Sequence, residues 1–362
     1  MAGHDGGGAR TRLSAIANYI SRMIEHSMTS SDISIPSRAP AATSPDDTVM
    51  PFEVALLDLR GRVVRLGPVV DEILAKHAYP EPVAKLLGEA IVLTVMLGSA
   101  LKMEGRFILQ TQTDGPVGLL VVDYTTPGRV RACARFGKEG VEAAVAAGNA
   151  DAGSMLGKGH LAMTIDQGAA TSRYQGLVAL DGGSLEDAAH EYFLRSEQIP
   201  TRVRLAVAEE IVPGGAKRWR AGGIMLQFLP KSAERARMDL DPGDTPDGVE
   251  IAAAPEDDAW VQGRALLETV EDVELIDPDV SSERLAYRLF HEPGVRVFNS
   301  ADVRAECSCS RDTVEAMLRS FSQDDRDHMV EDGRISVTCE FCSSTYIFAP
   351  GETDPKPEQT AE

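Results

Sequence analysis

Four cysteines near the C-terminal end carry the most definite chemistry in this sequence. They fall as Cys307-Ser308-Cys309 and Cys339-Glu340-Phe341-Cys342, with 29 residues between the pairs. Thiolates are soft donors, and two closely spaced pairs can complete a tetrahedral zinc site while closing the loop between them. The first pair has one residue between its sulfurs, where zinc ribbons and fingers usually have two or more. That spacing still suits a single metal ion, and it also places two thiols for oxidation to a disulfide. Two readings follow from the residues: a permanent, redox-inert zinc staple, or a zinc site that can be oxidised. The fifth cysteine, Cys133 in Arg131-Ala132-Cys133-Ala134, stands alone in an expected strand and reads as a small buried apolar residue.

Other site chemistries lack their residues. Gly157-Lys158-Gly159-His160 has neither the Walker spacing nor a Ser or Thr after Lys158, and reads as a glycine-rich turn. No Gly-x-Ser-x-Gly elbow is present, and His190-Glu191 and His291-Glu292 each lack the second His of a zinc protease. An enzyme is not expected. The net charge of −20 and pI near 4.8 argue against a nucleic-acid groove, which needs clustered Lys and Arg. Five cysteines in 362 residues do not make a secreted disulfide framework, and their clustering fits a reducing cytosol. No run approaches the ~18 apolar residues of a membrane span. The expectation is a soluble cytoplasmic protein that binds neither membrane nor nucleic acid.

The elements that must position these cysteines are legible from periodicity and turn chemistry. Residues 1–48 are poor in core-forming side chains and read as a disordered extension, although the weakly amphipathic, Arg-containing piece from Leu13 to Met28 leaves a transit peptide conceivable. Residues 49–230 read as one α/β core domain. Strands are expected at Phe52–Asp58, Val63–Leu66, Arg106–Gln112, Val117–Asp123, Val130–Arg135, His160–Asp166, Tyr174–Leu180, Arg202–Ile211 and Gly223–Leu229, with Arg60-Gly61-Arg62 as the first turn. Helices are expected at Pro68–Ala78, at Pro82–Lys102 and at Ser184–Ser196, the last with Ser184 and Asp187 in a variant of the capping box. The strands do not keep a strict βαβ rhythm, which favours a mixed or antiparallel sheet packed on helices.

Residues 231–296 change character. Asp239–Pro255 is a Pro/Gly/Asp-rich connector, followed by two amphipathic segments. Asp258–Val273 presents Trp260, Val261, Leu266, Leu267 and Val270, and Ser281–His291 presents Leu285, Leu289 and Phe290. Each has a face that must dock and an acidic face that is easily solvated, so the region reads as a packed helical linker or as a marginally stable, releasable one. Residues 297–349 form the cysteine domain, in which Ile335-Ser336-Val337 and Tyr346-Ile347-Phe348 read as the strands of a zinc-knuckle hairpin. Residues 350–362 read as a flexible tail. The fold class is α+β: an N-terminal mixed α/β sandwich core, a metastable helical linker and a small four-cysteine zinc domain.

With these motifs in place, the chain resembles the heat shock protein 33 family, a family of redox-regulated, ATP-independent holdase chaperones. The likeness is carried by Cys-Ser-Cys-Ser and by Val337-Thr338-Cys339-Glu340-Phe341-Cys342 ahead of Tyr346-Ile347-Phe348. Further upstream it includes Leu87-Gly88-Glu89-Ala90, Leu101-Lys102, Gly105-Arg106, Gln110 and Asp114-Gly115-Pro116-Val117. It runs on through Gly157-Lys158-Gly159-His160-Leu161, Thr164-Ile165-Asp166-Gln167-Gly168 and Arg173-Tyr174-Gln175-Gly176. Tyr192-Phe193-Leu194-Arg195-Ser196-Glu197-Gln198-Ile199-Pro200 and Ala221-Gly222-Gly223 complete it, over about residues 50–349. Ser343 stands where the pattern leads one to expect Asn, a change that bears on turn chemistry more than on metal binding.

The resemblance implies one zinc per reduced chain, held by Cys307, Cys309, Cys339 and Cys342. It also implies that oxidation forms Cys307–Cys309 and Cys339–Cys342 disulfides with loss of zinc, linker unfolding, homodimerisation and capture of unfolding client proteins. Two other classes share the cysteine pattern. A zinc-ribbon adaptor would want a basic stripe if it bound nucleic acid. A thiol-disulfide oxidoreductase would want its Cys-x-x-Cys at a helix N-terminus.

Overall fold

The computed structural model describes residues 46–101, 104–168, 173–230 and 256–353. The sequence readings for Leu13–Met28, for the Asp239–Pro255 connector and for the tail beyond Thr353 lie outside the described residues. The chain divides into two compact units, with the boundary between Ala305 and Glu306.

The first unit opens with strand β1 (Thr48–Val54), then β2 (Leu59–Leu66), helix α1 (Pro68–Ala75) and helix α2 (Glu81–Gly98). Three strands follow, β3 (Arg106–Thr113), β4 (Val117–Thr125) and β5 (Arg129–Phe136), then the short helices α3 (Lys138–Ala146) and α4 (Ala152–Leu156). Next come β6 (Lys158–Asp166), β7 (Tyr174–Asp181) and helix α5 (Leu185–Tyr192), which runs on as one wider turn over Phe193–Glu197. The long pair β8 (Thr201–Ile211) and β9 (Lys217–Phe228) ends the region read as the core domain. Helices α6 (Asp258–Glu268), α7 (Asp272–Ile276) and α8 (Ser282–Phe290) and the two-residue strands β10 (Arg296–Val297), β11 (Ala301–Asp302) and β12 (Arg304–Ala305) complete the unit.

The strands form two sheets, one ordered β10-β1-β2-β9-β8 with β11 also on β1, the other β12-β5-β4-β3-β6-β7. All pairings in these two sheets are antiparallel except β12 on β5. Helix α2 is apolar nearly all round, and that is the pattern of a helix covered on every side. It touches both sheets: Gly88 lies against Val207 of β8, and Gly98 against the Tyr124 ring of β4. One large apolar core joins α2 to the inner faces of the two sheets, through Val64, Leu205 and Met225 on one side and Leu109, Leu120 and Leu161 on the other. The expected mixed α/β sandwich is present, and the Ser184–Asp187 capping box forms as read.

The first hairpin differs from its sequence reading. Arg60-Gly61-Arg62 is not a turn, because β2 runs straight through it. The reversal comes earlier, in a 3-10 turn at Ala55–Leu57 closed by Asp58 at φ 51°. Gly61 is there for close approach: a Cβ on it would sit 2.2 Å from the Phe52 ring and 2.3 Å from the Met225 carbonyl. Helices α3 and α4 escape sequence reading, since α3 buries only Val141 and carries almost no apolar stripe. Gly157-Lys158-Gly159-His160 is half turn and half strand, with Gly157 at φ 68° closing α4 and the rest inside β6. Asp46 and Asp47, read as part of the extension, are tied into the fold. Asp46 pairs with Arg220 at 2.6 Å, and Asp47 accepts from the backbone N–H groups of Gly67 and Val69 at the start of α1.

Helices α6 to α8 cover the outer face of the first sheet. The face is apolar because β1, β2 and β9 alternate, sending Phe52, Leu59, Leu226 and Phe228 outward, where they meet Trp260, Leu267, Leu285 and Phe290. Phe52 stacks on Phe290 with ring centroids 5.5 Å apart. Gly263 lets α6 lie on Leu59, since a Cβ there would fall 2.3 Å from a Leu59 methyl. Of the apolar positions read in the linker, Val261 faces outward, 39% exposed, and the others are buried or half-buried. Residues 296–305 also pair with the two sheets of this unit, and the second compact unit starts at Glu306, later than the 297 read from sequence.

None of the three linker helices exceeds 11 residues, too short for a helix to persist alone in water, so docking maintains them. Leu267 is fully buried in that contact. Replacing it by Glu should remove about 1.5–3 kcal/mol of burial and add the cost of desolvating a carboxylate. Amide exchange across residues 256–290 should accelerate while α2 stays protected. Unchanged protection in the linker would show that the docking does not hold these helices.

Candidate metal centre

The second unit contains helix α9 (Arg311–Arg319), helix α10 (Gln323–His328) and the hairpin of β13 (Ile335–Thr338) and β14 (Thr345–Phe348), strands that coincide with the sequence reading. Among the described residues its buried apolar side chains are Val314, Leu318, Ile335 and Phe348. That is too small a core to hold a domain of this length. Arg311 adds to it by lying over the Phe348 ring at 4.3 Å and donating to the Ile347 carbonyl. The cysteines enter from both ends of this arrangement. Ser310, directly after Cys309, caps α9 by accepting from the Thr313 N–H, which fixes the approach of the first pair. The second pair lies in the loop between β13 and β14, where Cys339 N–H donates to Ser344 O and Ser343 N–H donates to Cys339 O, both at 2.9 Å.

All four sulfurs lie within 4.8 Å of one another. Cys307 Sγ is 3.8 Å from Cys339 Sγ, and Cys309 Sγ is 3.2 Å from Cys342 Sγ. Ligands at a zinc–sulfur distance of about 2.3 Å in a tetrahedron stand about 3.8 Å apart, so the donor set fits one such ion with a slight widening of the closer pair. The soft, four-sulfur set also suits zinc better than a hard cation. The sequence-derived residues Cys307, Cys309, Cys339 and Cys342 are thus brought together. Cys133 belongs to the first unit, buried on β5 opposite Val121, and is no part of the cluster.

The sulfurs do not share one environment. Burial, reinforced by the neighbouring thiols, pushes Cys309 up to about 12, against the opposing hydrogen bond from the Tyr346 hydroxyl at 3.3 Å. Burial also raises Cys339. Cys342 feels burial too, but the Ser344 hydroxyl and N–H together with the adjacent thiols outweigh it and bring it down to about 6. A bound dication would displace the thiol protons, since a coordinating thiol is deprotonated outright.

Tyr346 and Ser344 are the site partners that sequence reading missed. Tyr346 was legible only as a strand residue, and its hydroxyl reaches Cys309 because the hairpin folds β14 back beside the first pair. Ser343 sits at φ 57°, in the left-handed region where Asn is at ease and Ser is not, which gives its departure from the family pattern a physical meaning. The Cys339–Cys342 loop is followed by a strand and not by a helix, unlike the helix-terminal Cys-x-x-Cys of an oxidoreductase.

Comparison with known proteins agrees with this geometry. The family model described as "Hsp33 protein" matches residues 47–349. The chain belongs to the heat shock protein 33 family. A protein of Caulobacter vibrioides (strain NA1000 / CB15N) named 33 kDa chaperonin is 47% identical over 308 residues, 84% of this chain and 95% of that one. A 33 kDa chaperonin of Pseudomonas fluorescens (strain Pf0-1) is 36% identical over 293 residues, covering 80% of this chain and 87% of its own length. The crystal structure of the 33 kDa chaperonin from Thermotoga maritima shares the fold at a TM-score of 0.64 and 19% identity, covering 85% of this chain and 96% of the other.

Two outcomes are expected. Metal analysis of protein purified under reducing, zinc-replete conditions should give about one zinc per chain, and Cys309→Ser should fall well below half, because a hydroxyl is a poor zinc ligand. One full equivalent retained by the Ser variant would remove Cys309 from the site. Ser343→Asn should relieve up to about 1 kcal/mol of backbone strain and raise the unfolding midpoint of the second unit, measured on the metal-loaded protein.

Proposed function

We propose that this protein is a redox-regulated, ATP-independent holdase whose switch is the Cys307/Cys309/Cys339/Cys342 cluster, with one zinc per reduced chain. Family membership makes it a chaperone, and relatives named chaperonins carry no indication of an enzyme. The observation that carries the redox reading is the disproportion inside the second unit: among its described residues, four buried apolar side chains and four converging thiols. Zinc contributes roughly 10–16 kcal/mol to small cysteine-rich domains, more than such a core can supply. Whatever withdraws the four donors therefore unfolds the unit.

Oxidation withdraws them. Each zinc-bound thiolate pair would give up two electrons as one sulfur–sulfur bond forms and its hold on the ion is lost, while one peroxide per pair takes up those electrons and two protons from solvent to become two waters. The pairing we assign is Cys307–Cys309 and Cys339–Cys342. The sulfur contacts at 3.8 and 3.2 Å run across the pairs, but those depend on the folded knuckle. Within each pair only one or two residues intervene, so the sulfurs stay close after the unit unfolds. Release of α6 to α8 would then uncover the outer face of the first sheet to unfolding clients, with the oxidised chain as a homodimer. None of the described helices is long and apolar enough to cross a membrane. We place the protein in the cytoplasm, where a reducing pool resets the thiols.

The test is suppression of client aggregation by reduced, oxidised and re-reduced protein, with zinc and disulfides quantified in each sample. Oxidised protein should be active, zinc-poor and bridged within the pairs. Reduction with zinc should restore the inactive form. Activity that is equal in all three states would refute redox control, and a Cys309–Cys339 bridge would overturn the pairing.

A further inference from the structure

The outer face of the first sheet is not simply apolar. Beside Phe52, Leu59, Leu226 and Phe228 it carries four arginines: Arg65 on β2, Arg220 on β9, and Arg202 and Arg204 on β8. Each meets the linker. Arg204 pairs with Asp272 at 2.8 Å and Arg202 with Glu268 at 3.3 Å. Arg65 and Arg220, both almost wholly buried, turn instead to the C-terminal end of α7. Arg65 donates to the carbonyls of Glu274 and Asp277, and Arg220 to the carbonyl of Ile276 at 2.7 Å. The Glu274 and Ile276 carbonyls are ones that a helix end leaves without intrahelical partners, and cations are favoured there; the Asp277 carbonyl, just beyond the helix, also accepts from the Val280 N–H. Gly222 brings the helix down onto the strand, since a Cβ on it would fall 2.0 Å from the Leu275 carbonyl.

The occupant has the complementary composition. Residues 256–291 hold ten acidic side chains against three arginines, on helices that bury Trp260, Leu267, Leu285 and Phe290. Core carboxylates neutralise only part of the arginine row: Asp46 and Glu210 lie on Arg220, and Glu186 is 3.9 Å from Arg204. Departure of the linker leaves Arg65 without the two carbonyl acceptors that hold it and leaves Arg202 and Arg204 without Glu268 and Asp272.

We propose that the uncovered sheet face selects acidic amphipathic segments able to present carboxylates and a helix C-terminus to the arginines. The inference rests on the holdase reading and adds the chemical class of segment that is held. Apolar burial supplies adhesion to any unfolded chain, whereas the arginine row supplies the discrimination.

The experiment uses three fluorescent peptides spanning residues 256–291: the native sequence, one with Glu268, Asp272, Glu274 and Asp277 replaced by their amides, and one with these four replaced by Lys. Each is titrated into the oxidised full-length chain and into the reduced Leu267→Glu chain. The native peptide should bind about tenfold tighter than the amide peptide and the Lys peptide weakest, with the difference shrinking as salt rises. Arg202→Gln combined with Arg204→Gln should flatten the ranking. Three equal affinities, no binding of the native peptide, or an undiminished ranking in the double variant would overturn the proposal. The same samples are assayed for suppression of client aggregation. Suppression with a flat ranking defeats this inference alone, and loss of suppression with the ranking intact defeats the holdase reading instead.

Discussion

The sheet β10-β1-β2-β9-β8 is apolar on both faces, and the rest of the molecule is arranged around that fact. A sheet with two apolar faces must be covered twice or stick to something else. The inner face is sealed by α2 and the second sheet, joined in a single continuous core that includes most of that helix. The outer face is sealed by three short helices that lean on it for their own existence. One cover is permanent and the other conditional, and the difference lies in length and surroundings. Helix α2 has 18 residues and is buried nearly all round, whereas α7 has five and is held largely by side chains from the strands beneath it.

The second unit turns the same logic to the opposite end. Its apolar core is minimal, so its stability is concentrated in four sulfur atoms. A structure that relies on one small cluster is well suited to be lost all at once when that cluster reacts. The sulfurs themselves sit in unequal surroundings: burial raises Cys309, while the donors around Cys342 outweigh burial and lower it. Tyr346 and Ser344, which set part of this contrast, reach the sulfurs only through the hairpin.

Much of this was legible from residues. The four cysteines, the flanking hairpin strands, the Ser184 cap, the long α2 and the apolar stripe containing Leu267 were read from spacing and periodicity and are where the structure has them. The failures have common causes. Arg60-Gly61-Arg62 looked like a turn because glycine between charged residues usually marks one, yet Gly61 is needed for the close approach of the Phe52 ring. Helix α3 was missed because it is largely exposed and carries no stripe. Val261 was assigned to the buried face because the short apolar run Ala259-Trp260-Val261 does not say which member faces solvent.

The sequence by itself determined the donor set, the element types and the presence of docking faces, because these follow from side-chain chemistry and from repeats of 2 and 3.6 residues that any local segment displays. The tertiary structure decided what those faces meet. That Arg65 and Arg220 hold the end of α7, that Arg202 and Arg204 face Glu268 and Asp272, and that Tyr346 reaches Cys309 all depend on residues from 37 to more than 200 positions apart. No local pattern records such pairings. They exist because burial of the apolar faces sets the relative positions of strands and helices, and the polar contacts are then made by whichever side chains that packing brings together.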